Sequence, residues 1–104
     1  MRFAAPLALL AVLGLVPAAA PAQTPELPAA ARPCITCHGR DGIGTSPGFP
    51  NLAGQKSIYM MEQLTLYRDG RRQSDVMNIA AAQLSDEAIR AIAEYYEAQP
   101  ACKP

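Results

Sequence analysis

Apolar residues recur at helical spacing in two stretches of this chain. Over residues 55–69, Ile58, Met61, Leu64 and Thr65 fall three or four apart, and Tyr59, Met60 and Leu66 widen the stripe. Gly70 then supplies a C-cap. Near the end, Ile89, Ile92, Ala93 and Tyr96 follow the i, i+3, i+4, i+7 pattern of a helix with one buried face. Ser85 precedes it as an N-cap, Asp86 and Glu87 sit in its first turn, where the helix dipole favours acids, and Pro100 stops it after about Gln99. Residues 75–84, with Met77, Ile79 and an alanine run, predict a short helix or turn. Alternation with a period of two occurs nowhere, so the fold class is all-α.

Between these helices and the N-terminus the pattern breaks. Residues 39–54 hold Gly39, Gly42, Gly44, Pro47, Gly48, Pro50 and Gly54, which read as loop. A loop of that length in a small domain calls for a task, and wrapping the edge of a bound group is one. Residues 23–33, with Pro25, Pro28 and Pro33, predict a flexible lead-in or a short N-terminal helix. Ahead of them stands an apolar run from Phe3 to Val16 behind Arg2, followed by small residues and an Ala20-Pro21-Ala22 cleavage pattern. That is the layout of a secretory signal peptide, residues 1–22. The run is short against the roughly 20 residues that span a bilayer, so no membrane span is expected after cleavage.

Composition changes little and excludes some partners. The 104 residues carry nine Lys/Arg and nine Asp/Glu; without residues 1–22, eight basic side chains face nine acidic ones. Nothing in this balance calls for nucleic acid or an anionic surface. Arg40, Lys56, Arg68, Arg71 and Arg72 lie mid-chain, and Asp75, Asp86, Glu87, Glu94 and Glu97 towards the end. This reads as two solvated helix faces before it reads as a docking dipole. A mature chain this small buries only roughly 60% of its unfolded surface. It has no Trp.

The chemistry is concentrated in Cys34-Ile35-Thr36-Cys37-His38, a Cys-x-x-Cys-His sequence. Two thiols three residues apart lie about one helical turn from each other, the reach needed to join both vinyl groups of a porphyrin. The next imidazole, His38, then lies where it binds the iron as proximal ligand. Other uses fit less well. A thioredoxin-like pair belongs beside a βαβ unit, and none is predicted. A zinc site would have to gather Cys34, Cys37, His38 and the distant Cys102. A Cys34–Cys37 disulfide would leave His38 idle. Covalent haem c uses all three residues and supplies the large rigid apolar body that the domain otherwise lacks. Proximal imidazoles donate their second ring N–H to a backbone carbonyl, and Pro50 is the candidate acceptor. His38 is the only histidine, so the sixth ligand must come from elsewhere. Met60 and Met61 lie mid-helix on an apolar stripe; Met77, in an irregular stretch before the last helix, is the leading candidate.

These pieces together resemble the small class I cytochromes c of bacterial periplasms. The likeness is greatest to single-haem relatives of diheme periplasmic cytochromes and to haem subunits of flavocytochrome sulfide dehydrogenases. It is carried by Cys34 to Gly39, Phe49-Pro50-Asn51-Leu52-Ala53-Gly54-Gln55, Tyr59 to Gly70 and Met77 to Glu87, and it covers roughly residues 32–99. The resemblance implies three to four short helices around one haem over residues 34–99, with a tail at 100–104. It implies Met77, seven residues before Leu84-Ser85-Asp86-Glu87, as second axial ligand, and it supports Pro50 as partner of His38. It implies one-electron transfer in the periplasm between redox donor and acceptor proteins, with no catalytic residue. The other readings are a haem subunit of a periplasmic dehydrogenase and a gas-binding sensor with an open sixth site. The chain departs from the family at its ends. Its first helix is short and proline-broken, which leaves packing on the last helix open. Cys102 is extra, either a free thiol or the site of a disulfide to a partner or second copy.

Overall fold

The computed structural model describes residues 1–21 and 25–102. Ala22 and Gln23, which flank the cleavage point read from the sequence, lie outside the described residues. Residues 1–21 form no helix or strand, and their leucines and valines stand exposed. Among the described residues no helix is long and apolar enough to cross a membrane.

A 3-10 helix, Ala29–Cys34, runs straight into α1, Ile35–His38. Three further helices follow: α2, Ser57–Arg68; α3, Asp75–Ala81; and α4, Asp86–Glu97. There is no strand among the described residues. Pro33 stands just ahead of α1, where a missing N–H costs little.

Helix α4 is the organising element. Ile89, Ile92, Ala93 and Tyr96, the four residues of its predicted stripe, are all buried, and Tyr95 with them. Ser85 caps it, its hydroxyl accepting from Ala88 N–H at 3.1 Å. The core cluster joins Ile92, Ala93, Tyr95 and Tyr96 to Ala31 of the 3-10 helix and Met60 of α2. The proline-broken first helix therefore does pack on the last one. Ala31 makes the contact, and a lone methyl lets the two backbones approach closely.

Helix α2 departs from the expected stripe. Only Met60 is buried; Ile58 is 73% and Tyr59 48% exposed. Leu64 and Tyr67 are half-buried and line a crevice; Leu64 also packs against the core cluster. The face was read correctly as apolar, and part of it lines this crevice. The start of α2 has no cap from its own Lys56; instead the Glu97 carboxylate, at the end of α4, accepts from Ser57 N–H. That bond holds the Glu97 carboxyl below its ordinary pKa. Gly70 follows α2 with φ of 72°, the left-handed conformation of a C-cap.

Candidate haem-binding site

The Cys-x-x-Cys-His residues sit at the junction of the 3-10 helix and α1. Helix α1 ends at Gly39, whose φ of 75° turns the chain away immediately after His38. The loop that follows is tied tightly to that helix end. Thr45 N–H donates to Cys37 O at 2.9 Å, and Thr45 Oγ1 donates to Thr36 O at 2.9 Å. Gly42 O accepts from Leu52 and Ala53, and Asn51 Oδ1 accepts from Gly44 N–H at 2.7 Å. A Cβ on Gly44 would lie 1.9 Å from Phe49 O, so the crossing admits only glycine. This bonding makes residues 39–54 a rigid strap, which answers why so long a loop is stable here.

The strap delivers Pro50 to His38. The Nδ1 of the buried imidazole lies 2.8 Å from Pro50 O. A carbonyl only accepts, so Nδ1 carries the proton, and Nε2 is left with its lone pair.

Two phenols from α4 hold the same junction from behind. Tyr96 OH donates to Gly39 O at 3.0 Å and Tyr95 OH to Arg40 O at 2.5 Å. The rings meet edge to face, with centroids 5.0 Å apart. Burial, then the charges of Cys34, Tyr95 and Asp41, pushes Tyr96 well above a free phenol, so it stays a donor. These anchors lie 57 and 55 residues along the chain from their acceptors, and the sequence reading missed both. The adjacent Tyr95-Tyr96 pair on an otherwise aliphatic stripe was the one available sign.

In front of the junction a crevice opens in two lobes of about 180 and 360 Å³. Cys34, His38, Pro50, Leu64, Tyr67 and Met77 line both. Cys37 lines the larger lobe, so all five residues singled out from the sequence meet here. Met60 touches the smaller lobe but belongs to the core cluster; Met77 lines both lobes and is outside that cluster. Cys102 is exposed, and all three cysteines are free. Among the described residues, no three His, Cys, Asp or Glu side chains gather in a group that could hold a metal ion, so the four ligands of the zinc reading do not assemble.

Met77 is held by its neighbours. Ser74 Oγ accepts from Met77 N–H at 3.1 Å as the cap of α3. Asn78, next in sequence, makes three bonds. Its Nδ2 donates to Tyr67 O at 2.9 Å and Arg72 O at 2.8 Å, and its Oδ1 accepts from Ser74 N–H at 2.7 Å. Asn78 thus staples the turn at residues 70–74 to the end of α2 and fixes where α3 begins. The sequence reading did not single it out.

The donor set and shape suit a haem: two thiols, an imidazole with a free Nε2 pair, a thioether, and apolar walls. The thiol chemistry disfavours a redox dithiol. Burial first, and Cys37 second, pushes the Cys34 thiol above its ordinary value, whereas a catalytic Cys-x-x-Cys needs it lowered.

The family described as Cytochrome c matches residues 29–98. The chain is 45% identical over 69 residues to cytochrome c-554(548) of Halomonas halodenitrificans, a match covering 64% of this chain and 83% of that protein. It is 41% identical over 96 residues to a thiosulfate dehydrogenase electron acceptor of Thiomonas intermedia, covering 90% of this chain and 44% of that protein. Among solved structures, reduced recombinant cytochrome c4 from Pseudomonas stutzeri superposes with a TM-score of 0.60 at 38% identity, over 64% of this chain and 37% of that one. The chain therefore spans less than half the length of these last two relatives.

Proposed function

As the chain belongs to the cytochrome c family, we propose that it is an exported one-electron carrier with a single haem c held by Cys34, Cys37, His38 and Met77. The family binds haem c covalently and carries electrons without itself catalysing a reaction. What supports the residue assignment is one observation: the crevice collects both thiols, the imidazole and the thioether, with His38 Nδ1 2.8 Å from Pro50 O.

When bound, the haem supplies a metal that takes up and releases one electron. The chain does the rest. Pro50 O holds the imidazole in one tautomer and orients Nε2. Cys34 and Cys37 would hold the haem through two thioether links. Met77, fixed through Ser74 and Asn78, offers a soft sulfur that favours the reduced state. With His38 and Met77 both holding the metal, the chain would leave no position for a substrate. The apolar walls keep water away.

Residues 1–22 are the export signal in this reading, and the compartment is the periplasm. Donor and acceptor are other redox proteins, met through small transient contacts. A second reading, electron acceptor within a dehydrogenase system, is favoured by the relatives of that description. Cys102, exposed and free, would be available there for a disulfide to a partner.

The test is expression with a cytochrome c maturation system. The purified protein should be red, carry one haem that denaturation does not extract, and fail to bind carbon monoxide when reduced. A colourless product overturns the assignment, and carbon monoxide binding by the native reduced protein overturns the Met77 ligand. Copurification with a dehydrogenase subunit would select the second reading.

A further inference from the structure

Met77 rides on α3, a helix with little apolar packing of its own. Of its seven residues only Ala81 is buried, while Val76 is 60% and Ile79 78% exposed. It packs chiefly on α2. One buried methyl gives a short helix little to hold its place, so polar ties must do much of that work. Asn78 supplies such a tie near the start of α3, donating to Tyr67 O at 2.9 Å. The far end needs another, and Arg68 makes it.

Arg68 is the last residue of α2, and its side chain crosses to the turn between α3 and α4. Its Nη1 donates to Leu84 O at 3.2 Å and to Asp86 Oδ1 at 2.7 Å, and its Nε donates to Asp69 Oδ1 at 3.4 Å. A planar fork of N–H groups lets one side chain hold a carbonyl and a carboxylate at once. The Arg68 side chain is 24% exposed, against 90% for Asp86. The ion pair by itself adds little at such a surface. The bond to Leu84 O is what fixes geometry. Leu84 N–H donates back to Ala81 O, the end of α3, at 3.1 Å. The Leu84 side chain packs on the core cluster and lines the larger lobe with Met77.

Asn78 and Arg68 therefore hold α3 from its two ends, and both ties lead to the last turn of α2. Tyr67, the residue before Arg68, lines both lobes of the crevice. The place of Met77 is thus set by the same turn of helix that walls the crevice. We infer that Arg68 is a positioning residue for the Met77 thioether. It pins the end of α3 to α2, so that the sulfur stays in the crevice and does not swing out with its helix. The inference rests on the Met77 assignment proposed above and adds a residue that keeps that ligand in place.

The test titrates the oxidised holoprotein with imidazole, which competes with the thioether for the metal, and follows the sulfur-to-iron absorption band. Imidazole binds only where Met77 has let go, so its apparent affinity scales with the fraction of open molecules. Arg68→Gln should raise that affinity about tenfold, the scale set by losing a hydrogen bond between a charged group and its acceptor. Asp86→Asn leaves the bond to Leu84 O in place and should raise it less. The double variant Arg68→Gln/Asp86→Asn should match Arg68→Gln, because the two residues act as one clamp. Arg71→Gln removes a neighbouring cation whose ion pair is with Asp69, and it should leave the affinity at the wild-type value.

A merely structural role would lower the denaturation midpoint of Arg68→Gln and leave its imidazole affinity unchanged. That result, or an equal rise in Arg71→Gln, would overturn the inference. Should Arg68→Gln not assemble, Asp86→Asn decides by itself, and an unchanged affinity there overturns it too. Failure of the underlying reading looks different: the wild-type protein itself would show no sulfur-to-iron band.

Discussion

Helices α2 and α4 are both twelve residues long and pack on each other, yet they are completed in different ways. The inner face of α4 meets protein almost throughout: Ile89, Ala93, Tyr95 and Tyr96 are buried against the rest of the chain, and only Ile92 also borders the crevice. The inner face of α2 meets protein through Met60, Met61 and Leu64, while Tyr59, Leu64 and Tyr67 line the crevice. One half of the domain therefore has a core made of side chains. The other half lines the crevice, and the haem proposed for it would bury those walls. The lesson is that an apolar stripe reports what a helix needs to bury, not whether the chain supplies it.

The largest test of this difference is to withhold the cofactor. A Cys34→Ala/Cys37→Ala protein should be largely unfolded by circular dichroism, because the α4 cluster alone is too small to hold so short a domain. Any residual helicity should reside in α4 rather than α2, as site-resolved hydrogen exchange would read. A cooperative, fully helical haem-free protein would show that the two halves do not differ as described.

Next comes the protein-filled side. Ile89→Ala should destabilise the holoprotein by about 2–5 kcal/mol, the range for a large-to-small change in a packed core. It should do so without altering the visible spectrum, since Ile89 is buried on α4 and lines neither lobe of the crevice. Denaturant melts followed by both helicity and colour check this.

On the crevice side, Asn78→Ala removes three hydrogen bonds around Met77 and should cost about 2 kcal/mol. Here the spectrum should respond: on heating, the thioether ligand should be lost before the helices melt. Coincident loss of both signals would place Asn78 with the general scaffold.

The smallest effect falls on the seam between the halves. Tyr96→Phe deletes the bond to Gly39 O and should cost about 1 kcal/mol. It should also change the alkaline limb of stability. The Tyr96 phenol is raised from 10.0 in the fold, chiefly by burial, so the folded state holds its proton more tightly than the unfolded chain. That contribution is complete below pH 10 and is lost as pH rises beyond it. The wild-type protein should weaken above that pH more steeply than Tyr96→Phe, as denaturant titrations at alkaline pH would measure.

These contrasts also explain what could be read in advance. Helix α4 was legible because its buried face, its Ser85 cap and its acidic first turn all act locally. The pairing of His38 with Pro50 was legible because the imidazole needs a carbonyl and the Gly/Pro strap between them has no other evident use. The α2 stripe was legible as apolar, but Ile58 was placed on the wrong side of it. Two faces of that helix are non-polar, and only the tertiary arrangement tells the crevice wall from the solvent side. The anchors Tyr95 and Tyr96 and the staple Asn78 were not legible in those roles. Each acts on a backbone or side-chain group brought near by the fold, and none has a spacing that announces it.

The most direct test of the account is the far-red absorption of the oxidised holoprotein, where sulfur-to-iron charge transfer gives a weak band. The wild-type protein should show this band; Met77→Ala should lose it and bind carbon monoxide when reduced, with its α4 helicity retained. A band that survives in Met77→Ala would mean that another residue binds the metal and that the crevice has been read wrongly.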